Sequence, residues 1–400
     1  MAAKLLLFAD KTKYNLPIVA HITSLISCRD FNTFLLTFTL ANYSQMNQLI
    51  ALERTSFLES LERLRSLSSV TLLKKNIGLL RNRVLRVNRS RHNALQNNRI
   101  LVSRKFLAGE LDQIQQSRTL DRAGYYLSRL RKSLTSVKTA SINDLNLRRW
   151  KEYDDILTDS LWILPKRDAS GRHSAWYWGN FIPQIPHQIM LRYTKRGDWV
   201  LDPFAGSGTT LLECKHLERN GLGIELNPSV AQRCRATIDS IPTRTNNTVD
   251  IVTGDSVTVD FRKLLRHKGA ESAQLIILHP PYHDIIRFSK SRRDLSNASS
   301  TKRFLELLGK VVDNSLRVLD RGRYLALIIG DKYNKREWTP LAFLAMNEIM
   351  KRDCLLKSIV IKNFDQTTGK RKQGALWRYR ALAGGFYVFK HEYIFIFQKK

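Results

Sequence analysis

Apolar and polar positions divide the chain into two textures. From residue 176 to 400, short apolar runs alternate with helical patterns. The runs predict strands at 198–201, 222–225, 249–252, 274–279, 323–329, 356–361 and 392–398. Helices are predicted over 209–219, 228–239, 302–318 and 339–351. Such alternation argues for a parallel sheet with helices on both faces. The last run, Tyr393-Ile394-Phe395-Ile396-Phe397, follows a basic segment with no helical pattern, so it is expected to enter as an antiparallel hairpin partner. Residues 51–140 read as helical: Leu58, Leu61, Leu64 and Leu67 recur every third position, and Leu79, Leu80 and Leu85 less regularly. Residues 61–67 and 127–134 resemble each other only as leucine-arginine helices do, with no longer repeat behind them. In the first 60 residues the period is mixed, and Phe31, Phe34, Leu35, Phe38 and Leu40 are read as one helix face. Ser141 and Asp144 are expected to cap a helix carrying Trp150 and Tyr153. Pro165, Asp168, Ser170 and Gly171 then mark a loop. The expected division is a basic, mainly helical region over 1–150, a connecting segment over 151–175, and an α/β domain over 176–400.

The α/β part is organised around residues 197–210, Gly-Asp-Trp-Val-Leu-Asp-Pro-Phe-Ala-Gly-Ser-Gly-Thr-Thr. Trp199, Val200 and Leu201 form a buried-strand run, and Gly206 and Gly208 make the turn. Thr209 and Thr210 then open a helix. Strand, glycine turn, helix is the layout of a nucleotide-binding loop. No Gly-Lys-Ser/Thr follows, which excludes a phosphate loop, and the third glycine of a dinucleotide fingerprint is missing. An acidic residue, Asp202, precedes the turn. That suits a cofactor with a cationic amino group or sulfonium.

Charge adds a partner to this picture. The 400 residues carry a formal charge of +31. Over 1–150 there are 25 Lys and Arg against 9 Asp and Glu, and no acidic residue lies between Glu62 and Glu110. One-signed charge of this density points to phosphate contact, with Arg81, Arg83, Arg86 and Arg89 as candidate ligands of DNA. Two further basic stretches carry Arg292 and Arg293 among serines, and Arg371 and Lys372 beside aromatics, a mixture suited to phosphates and unstacked bases. No apolar run approaches the roughly 18 residues a spanning helix needs, so no membrane partner is expected. Cys28, Cys214, Cys234 and Cys354 show neither pairing nor metal spacing and read as buried thiols, with no metal expected. A reducing, cytoplasmic setting beside the nucleoid follows as an expectation.

The second informative stretch is Leu275-Ile276-Ile277-Leu278-His279-Pro280-Pro281-Tyr282. A buried strand is stopped by two prolines that cannot continue a ladder. The turn lies at the strand's carboxyl end, where open α/β sheets bind ligands. Asp-Pro-Phe-Ala-Gly-Ser-Gly-Thr-Thr followed by X-Pro-Pro-Tyr resembles the amino-group DNA methyltransferases, which methylate adenine N6 or cytosine N4 from S-adenosylmethionine. The resemblance covers about 176 to 400. It implies a class I methyltransferase fold, a Rossmann-like, mostly parallel sheet of seven strands ending in a hairpin. It also implies double-stranded DNA as substrate, with the target base flipped out of the stack, and a companion restriction endonuclease of a prokaryotic or mobile element.

In that resemblance His279, Pro280, Pro281 and Tyr282 are the catalytic motif. Tyr282 stacks on the extruded base, and the Pro280 carbonyl and the His279 ring accept the amine protons. Asp202, Phe204, Gly206, Gly208 and Thr209 belong to the cofactor loop, and Phe181 in the segment 178–184 packs on the cofactor's methionine end. Glu225, 19 residues past Gly206, is placed to bind the ribose hydroxyls. Asp255 follows the third strand and faces the adenine amino group. His279 departs from the family's usual Asp, Asn or Ser. A neutral imidazole offers one acceptor and a protonated one offers none, so activity is expected to fall below a pH near the ordinary histidine value of about 6.5. Asp284 is a further candidate acceptor. Two other readings stand beside this one: an RNA enzyme of the tRNA guanine-N2 type, whose glycine loop usually reads Cys-Gly-Thr-Gly, and a non-catalytic nucleic-acid-binding protein that keeps the fold.

Overall fold

A computed structural model describes residues 49–86, 98–164, 166–168, 173, 176–241, 246–334, 337–364 and 374–400. The expected helix over Phe31 to Leu40 lies outside these residues, as do Cys28, Arg89, Arg371 and Lys372. The chain divides between Val137 and Lys138 into two compact units.

The N-terminal unit is a duplication. Strand β1 (Leu49–Glu53), helix α1 (Arg54–Arg65) and helix α2 (Val70–Leu85) are followed by β2 (Arg99–Ser103), α3 (Arg104–Gln115) and α4 (Leu120–Thr135). Each element of the second half starts 50 residues after its counterpart and has the same length. Side chains open each helix in both halves. Glu53 accepts from the Thr55 and Ser56 amides, Ser69 from Leu72, Ser103 from Phe106 and Thr119 from Arg122. The nine buried residues of the first half, from Ile50 to Val84, all have buried counterparts 50 positions on, and Phe106 and Tyr126 complete the core. A longer repeat is therefore present, contrary to expectation, at a different offset from that of the leucine-arginine likeness. Identity between the halves is confined to Ile50/Ile100, Arg54/Arg104, Leu61/Leu111, Leu80/Leu130 and Arg81/Arg131, because burial constrains apolar character far more than residue type. The purely helical reading of this region also missed both strands.

The second unit is built on one sheet. Its strands are β3 (Leu161–Trp162), β4 (Trp199–Asp202), β5 (Asn220–Glu225), β6 (Val249–Thr253), β7 (Ala273–Leu278), β8 (Leu319–Ile329), β11 (Cys354–Asn363) and β12 (His391–Lys399), in the order β3-β11-β12-β8-β7-β4-β5-β6. Strands β4 to β8 of this sheet run parallel, and β12 lies antiparallel between β8 and β11. This is the seven-strand class I methyltransferase order, with the terminal hairpin as expected and one added edge strand. That strand, β3, comes from the stretch expected to be a connection: Ile361 donates its amide to the Ser160 carbonyl, and Trp162 is buried. Two residues are too few to show a period. Over 147–152 there is only a 3-10 turn, capped by Asn146 rather than by Ser141 or Asp144.

Helices α5 (Gln184–Tyr193), α6 (Thr209–His216), α7 (Pro228–Asp239), α8 (Phe261–Arg266), α9 (Thr301–Leu316) and α10 (Leu341–Met350) cover the sheet. Strands β9 (Lys332–Asn334) and β10 (Glu337–Thr339) form a small hairpin. The basic segment before β12, read as non-helical, contains α11 (Gly374–Gly384). One sheet face packs Leu201, Ile276, Phe304 and Phe395, the other Val200, Ile277, Ile185 and Ile394. Both faces are apolar, so the strands read as continuous runs, and each large side chain fully buried there contributes about 1.5–3 kcal/mol. Cys214, Cys234 and Cys354 are buried free thiols. Among the described residues no helix is long and apolar enough to cross a membrane.

Candidate active site

The sheet order reverses between β4 and β7, which opens a crevice at their carboxyl ends. A cavity of about 360 Å³ lies there. Its walls bring together Phe181, Phe204, Gly206, Thr209, Glu225, Asp255, His279, Pro280, Pro281 and Tyr282 from the sequence-predicted set. Asp202 and Gly208 are not in the lining.

The glycine turn explains both exceptions. Asp202 is buried, and its Oδ1 accepts the Phe204 amide at 2.9 Å. Burial, tempered by the Thr210 hydroxyl and the Phe204 amide, pushes its carboxyl up to about 6. Asp202 thus shapes the start of the turn from behind the cavity wall. Gly208 sits at φ +81° as the residue preceding α6, and a Cβ there would lie 2.2 Å from the Cys234 sulfur. Its role is to let the loop close on α7. Gly206, at φ +50°, lies on the cavity and donates its amide to Glu225 Oε2 at 3.1 Å.

Glu225 closes β5. Its other oxygen accepts the Asn227 amide at 2.7 Å. Burial raises its pKa, against these two amides. Each oxygen keeps a further lone pair for a ligand. Asp255, after β6, accepts the Val257 amide at 2.9 Å. Asn180 donates its side-chain amide to the Ser207 hydroxyl at 3.2 Å, tying the 178–184 segment to the glycine loop. Tyr177 covers Gly206 and stacks on Phe288 with ring centres 5.7 Å apart.

On the other side, Phe181 meets the His279 ring edge-on at 4.7 Å. Burial and the Lys362 ammonium, partly opposed by the Glu392 carboxylate, lower the His279 pKa to about 4. The imidazole is therefore neutral well below the pH 6.5 expected from the sequence. Tyr282 donates its hydroxyl to Glu392 Oε2 at 2.8 Å, and Lys362 donates to Glu392 Oε1 at 3.0 Å. Lys362 and Glu392 are cross-strand partners on β11 and β12, and both line the cavity. Sequence reasoning missed them. They lie some 80 to 110 residues from the Pro-Pro-Tyr motif, and only the terminal hairpin brings them to it. The available signal was a charged residue inside each of two otherwise apolar strands.

Asp284 does not reach the cavity. It is half-exposed and paired with Lys332 at 2.9 Å, so it is not a free acceptor. Of the basic candidates, Arg293 lines the cavity beside Phe288 and Asp294, and Arg292 is exposed next to it. Arg83 and Arg86 are exposed on the N-terminal unit. Arg81 pairs with Asp112 at 2.5 Å and spends its charge within the fold.

A different cluster lies on the α5–α6 side. Glu213 accepts from His173 at 2.6 Å, His187 at 2.7 Å and His216 at 3.2 Å. His173, Glu213 and His216 have ligand atoms all within 4.8 Å of one another. Scattered in sequence, they gave no metal spacing.

A family model described as DNA methylase matches residues 116–235, which takes in the glycine loop and stops before the Pro-Pro-Tyr turn. The chain is 44% identical over 52 residues to the type II methyltransferase M.MjaII of Methanocaldococcus jannaschii, covering 13% of this chain and 10% of that protein. It is 43% identical over 53 residues to M.HpaI of Haemophilus parainfluenzae, covering 13% and 17%. With M.BglI of Bacillus subtilis it shares 27% over 137 residues, or 34% and 36%. The chain thus spans between a tenth and about a third of the length of these curated relatives. Among solved structures, TrmN from Thermus thermophilus aligns at TM-score 0.36 and 14% identity over 56% of this chain and 50% of that one. A methyltransferase from Pyrococcus furiosus aligns at 0.35 and 16% over 57% and 87%. Those scores add nothing to what the strand order already says. The matched segment makes this chain similar to DNA methylases over its glycine-loop region, and the sheet order brings that loop and the Pro-Pro-Tyr turn onto one cavity.

Proposed function

We propose that the protein methylates the exocyclic amino group of an adenine (N6) or a cytosine (N4) flipped out of duplex DNA, using S-adenosylmethionine. The observation that carries this is the single cavity on which the glycine loop and the Pro-Pro-Tyr turn meet.

The donor set fits the cofactor. Carboxylates Glu225, closing β5, and Asp255, after β6, lie at the cavity, which Phe204, Ile224 and Leu226 also line. This matches a ribose diol, an adenine edge and a flat apolar ring, and the loop lacks a phosphate-binding lysine. Glu225 would hold the ribose, Asp255 the adenine amino group, and Phe181 and Phe204 the methionine end. Bound there, the cofactor supplies an electrophilic methyl group.

The chain's own residues do the rest. The Pro280 carbonyl and a neutral His279 nitrogen accept the two amine protons, which favours a tetrahedral nitrogen. His279 Nε2 lies 3.5 Å from the Tyr282 hydroxyl, whose proton is committed to Glu392. The tautomer protonated on Nε2 then leaves Nδ1 as the acceptor. Glu392 and Lys362 fix the Tyr282 ring as a stacking surface. The proton lost from the amine leaves to solvent after methyl transfer. Exposed cations of the N-terminal unit and Arg292 and Arg293 at the cavity hold the DNA backbone. The same reading gives the protein a cytoplasmic site of action and a companion restriction endonuclease of the same specificity.

The test is transfer of labelled methyl from S-adenosylmethionine to duplex DNA and, in parallel, to tRNA. Label in DNA as N6-methyladenine or N4-methylcytosine is expected. Label in tRNA alone, or cofactor binding without transfer to either, contradicts the proposal.

A further inference from the structure

The two halves of the N-terminal unit repeat side-chain roles as well as elements. Arg81 on α2 pairs with Asp112 on α3 at 2.5 Å, and their counterparts Arg131 on α4 and Glu62 on α1 pair at 2.9 Å. Each half has eight Lys and Arg and three Asp and Glu among its described residues. Strands β1 and β2 pair antiparallel, with Leu49 opposite Ser103 and Glu53 opposite Arg99. At the centre Ala51 faces Leu101, its own counterpart, so an approximate two-fold axis passes between them. Inward, Ile50, Leu52, Ile100 and Val102 enter the core. The opposite face carries Leu49, Ala51, Glu53, Arg99, Leu101 and Ser103, of which Leu49 is 56% and Leu101 45% exposed.

We infer that this ribbon is a sequence-reading element that lies in the major groove of duplex DNA over an imperfect inverted repeat. The inference rests on the proposed reading of duplex DNA as the partner. A B-form major groove, about 12 Å wide, admits a two-stranded ribbon. A two-fold protein meets two-fold-related half-sites. The unit's positive excess matches the phosphates on either side, and the outward residues suit base edges. Arginine matches guanine O6 and N7, and leucine and alanine match thymine methyls. The dyad is broken where Leu49 corresponds to Arg99, so the two half-sites differ, whereas Glu53 and Ser103 are held alike as the caps of α1 and α3.

The test selects duplexes from a randomised library with the full-length chain, then probes the winner with dimethyl sulfate, which reports guanine N7 in the major groove. The wild-type protein is expected to enrich an imperfect inverted repeat and to protect guanine N7 within it. Arg99→Ala and Leu101→Ser should weaken binding to the selected site roughly tenfold, relax the preference near its centre, and leave affinity for random duplex within about twofold. Leu79→Ser, which changes an exposed leucine on α2, should select the wild-type site. Unchanged thermal melting shows that each variant is folded. Selected sequences without two-fold relation, or ribbon variants that choose the wild-type site with wild-type affinity, overturn the inference. Methyl transfer is scored on the same duplexes. No transfer despite ribbon-dependent selection counts against the proposed function alone. Transfer at a site insensitive to the ribbon counts against this inference alone.

Discussion

At the residue scale the proposed reaction turns on His279, which lines the cavity. Burial beside Lys362 lowers its pKa to about 4, so the proposed acceptor survives to lower pH than a solvated histidine would allow. The sign follows directly: protonation removes the acceptor, so methyl transfer should be flat from pH 8 to 5 and fall as pH approaches about 4. A single-turnover rate that halves near pH 6.5 would contradict this. Removing the Tyr282 hydroxyl leaves Glu392 and Lys362 to each other and frees the ring. Tyr282→Phe should therefore cost roughly tenfold to a hundredfold in the methyl-transfer rate, comparable with the loss of one or two positioning hydrogen bonds, with little change in cofactor affinity. Gly208→Ala places a methyl group 2.2 Å from the Cys234 sulfur at a left-handed φ, and should cost about 1–3 kcal/mol of stability, read by denaturant unfolding. The motifs themselves were legible in the sequence because their residue types are fixed locally, by a turn or by a strand stopped with prolines. Lys362 and Glu392 were not, because what makes them part of the site is strand pairing, not spacing.

Among the elements, α7 was predicted with the bounds it has, because Asn227 caps it and Pro228 begins it. Strand β3 and helix α11 carried too little periodicity to be seen. Between α5 and α6, His187 bonds Glu213 at 2.7 Å. Burial raises its pKa, but hydrogen bonds from His173, His187 and His216 outweigh this and hold it well below the usual carboxylate range. His187 is raised, first by its bond to Glu213. The Glu213 contribution is present above the ordinary carboxylate value and lost as pH falls. That of His187 is present below the ordinary histidine value and lost as pH rises through its raised one. Thermal stability should therefore peak between about pH 4.5 and 6.5, and Glu213→Gln should flatten the profile. An unaltered profile in that variant would show that the cluster does not anchor the two helices.

For the whole molecule the dominant quantity is the charge of +31. Sequence already pointed to nucleic acid, but not to how the cations are used. Structure shows that Arg81, inside the uninterrupted basic window, takes its acidic partner Asp112 from the other half of the duplication, while Arg63 and Arg65 lie against Glu59 and Glu62 of their own helix. The duplication itself was hidden because its halves share a burial pattern and few identities. Fewer cations are thus free for phosphates than a count implies. Duplex affinity should still fall steeply with salt, about a thousandfold or more between 50 and 200 mM for six or more phosphate contacts. A shallow dependence would mean that the basic surface serves another purpose. The most direct test of the central claim is modified-base sequencing of DNA from cells expressing the protein, beside cells expressing His279→Ala with Tyr282→Ala. N6-methyladenine or N4-methylcytosine at one recurrent sequence, absent from the double variant, is the predicted result. Unmodified DNA in both, from a protein shown to be folded and to bind S-adenosylmethionine, would contradict it.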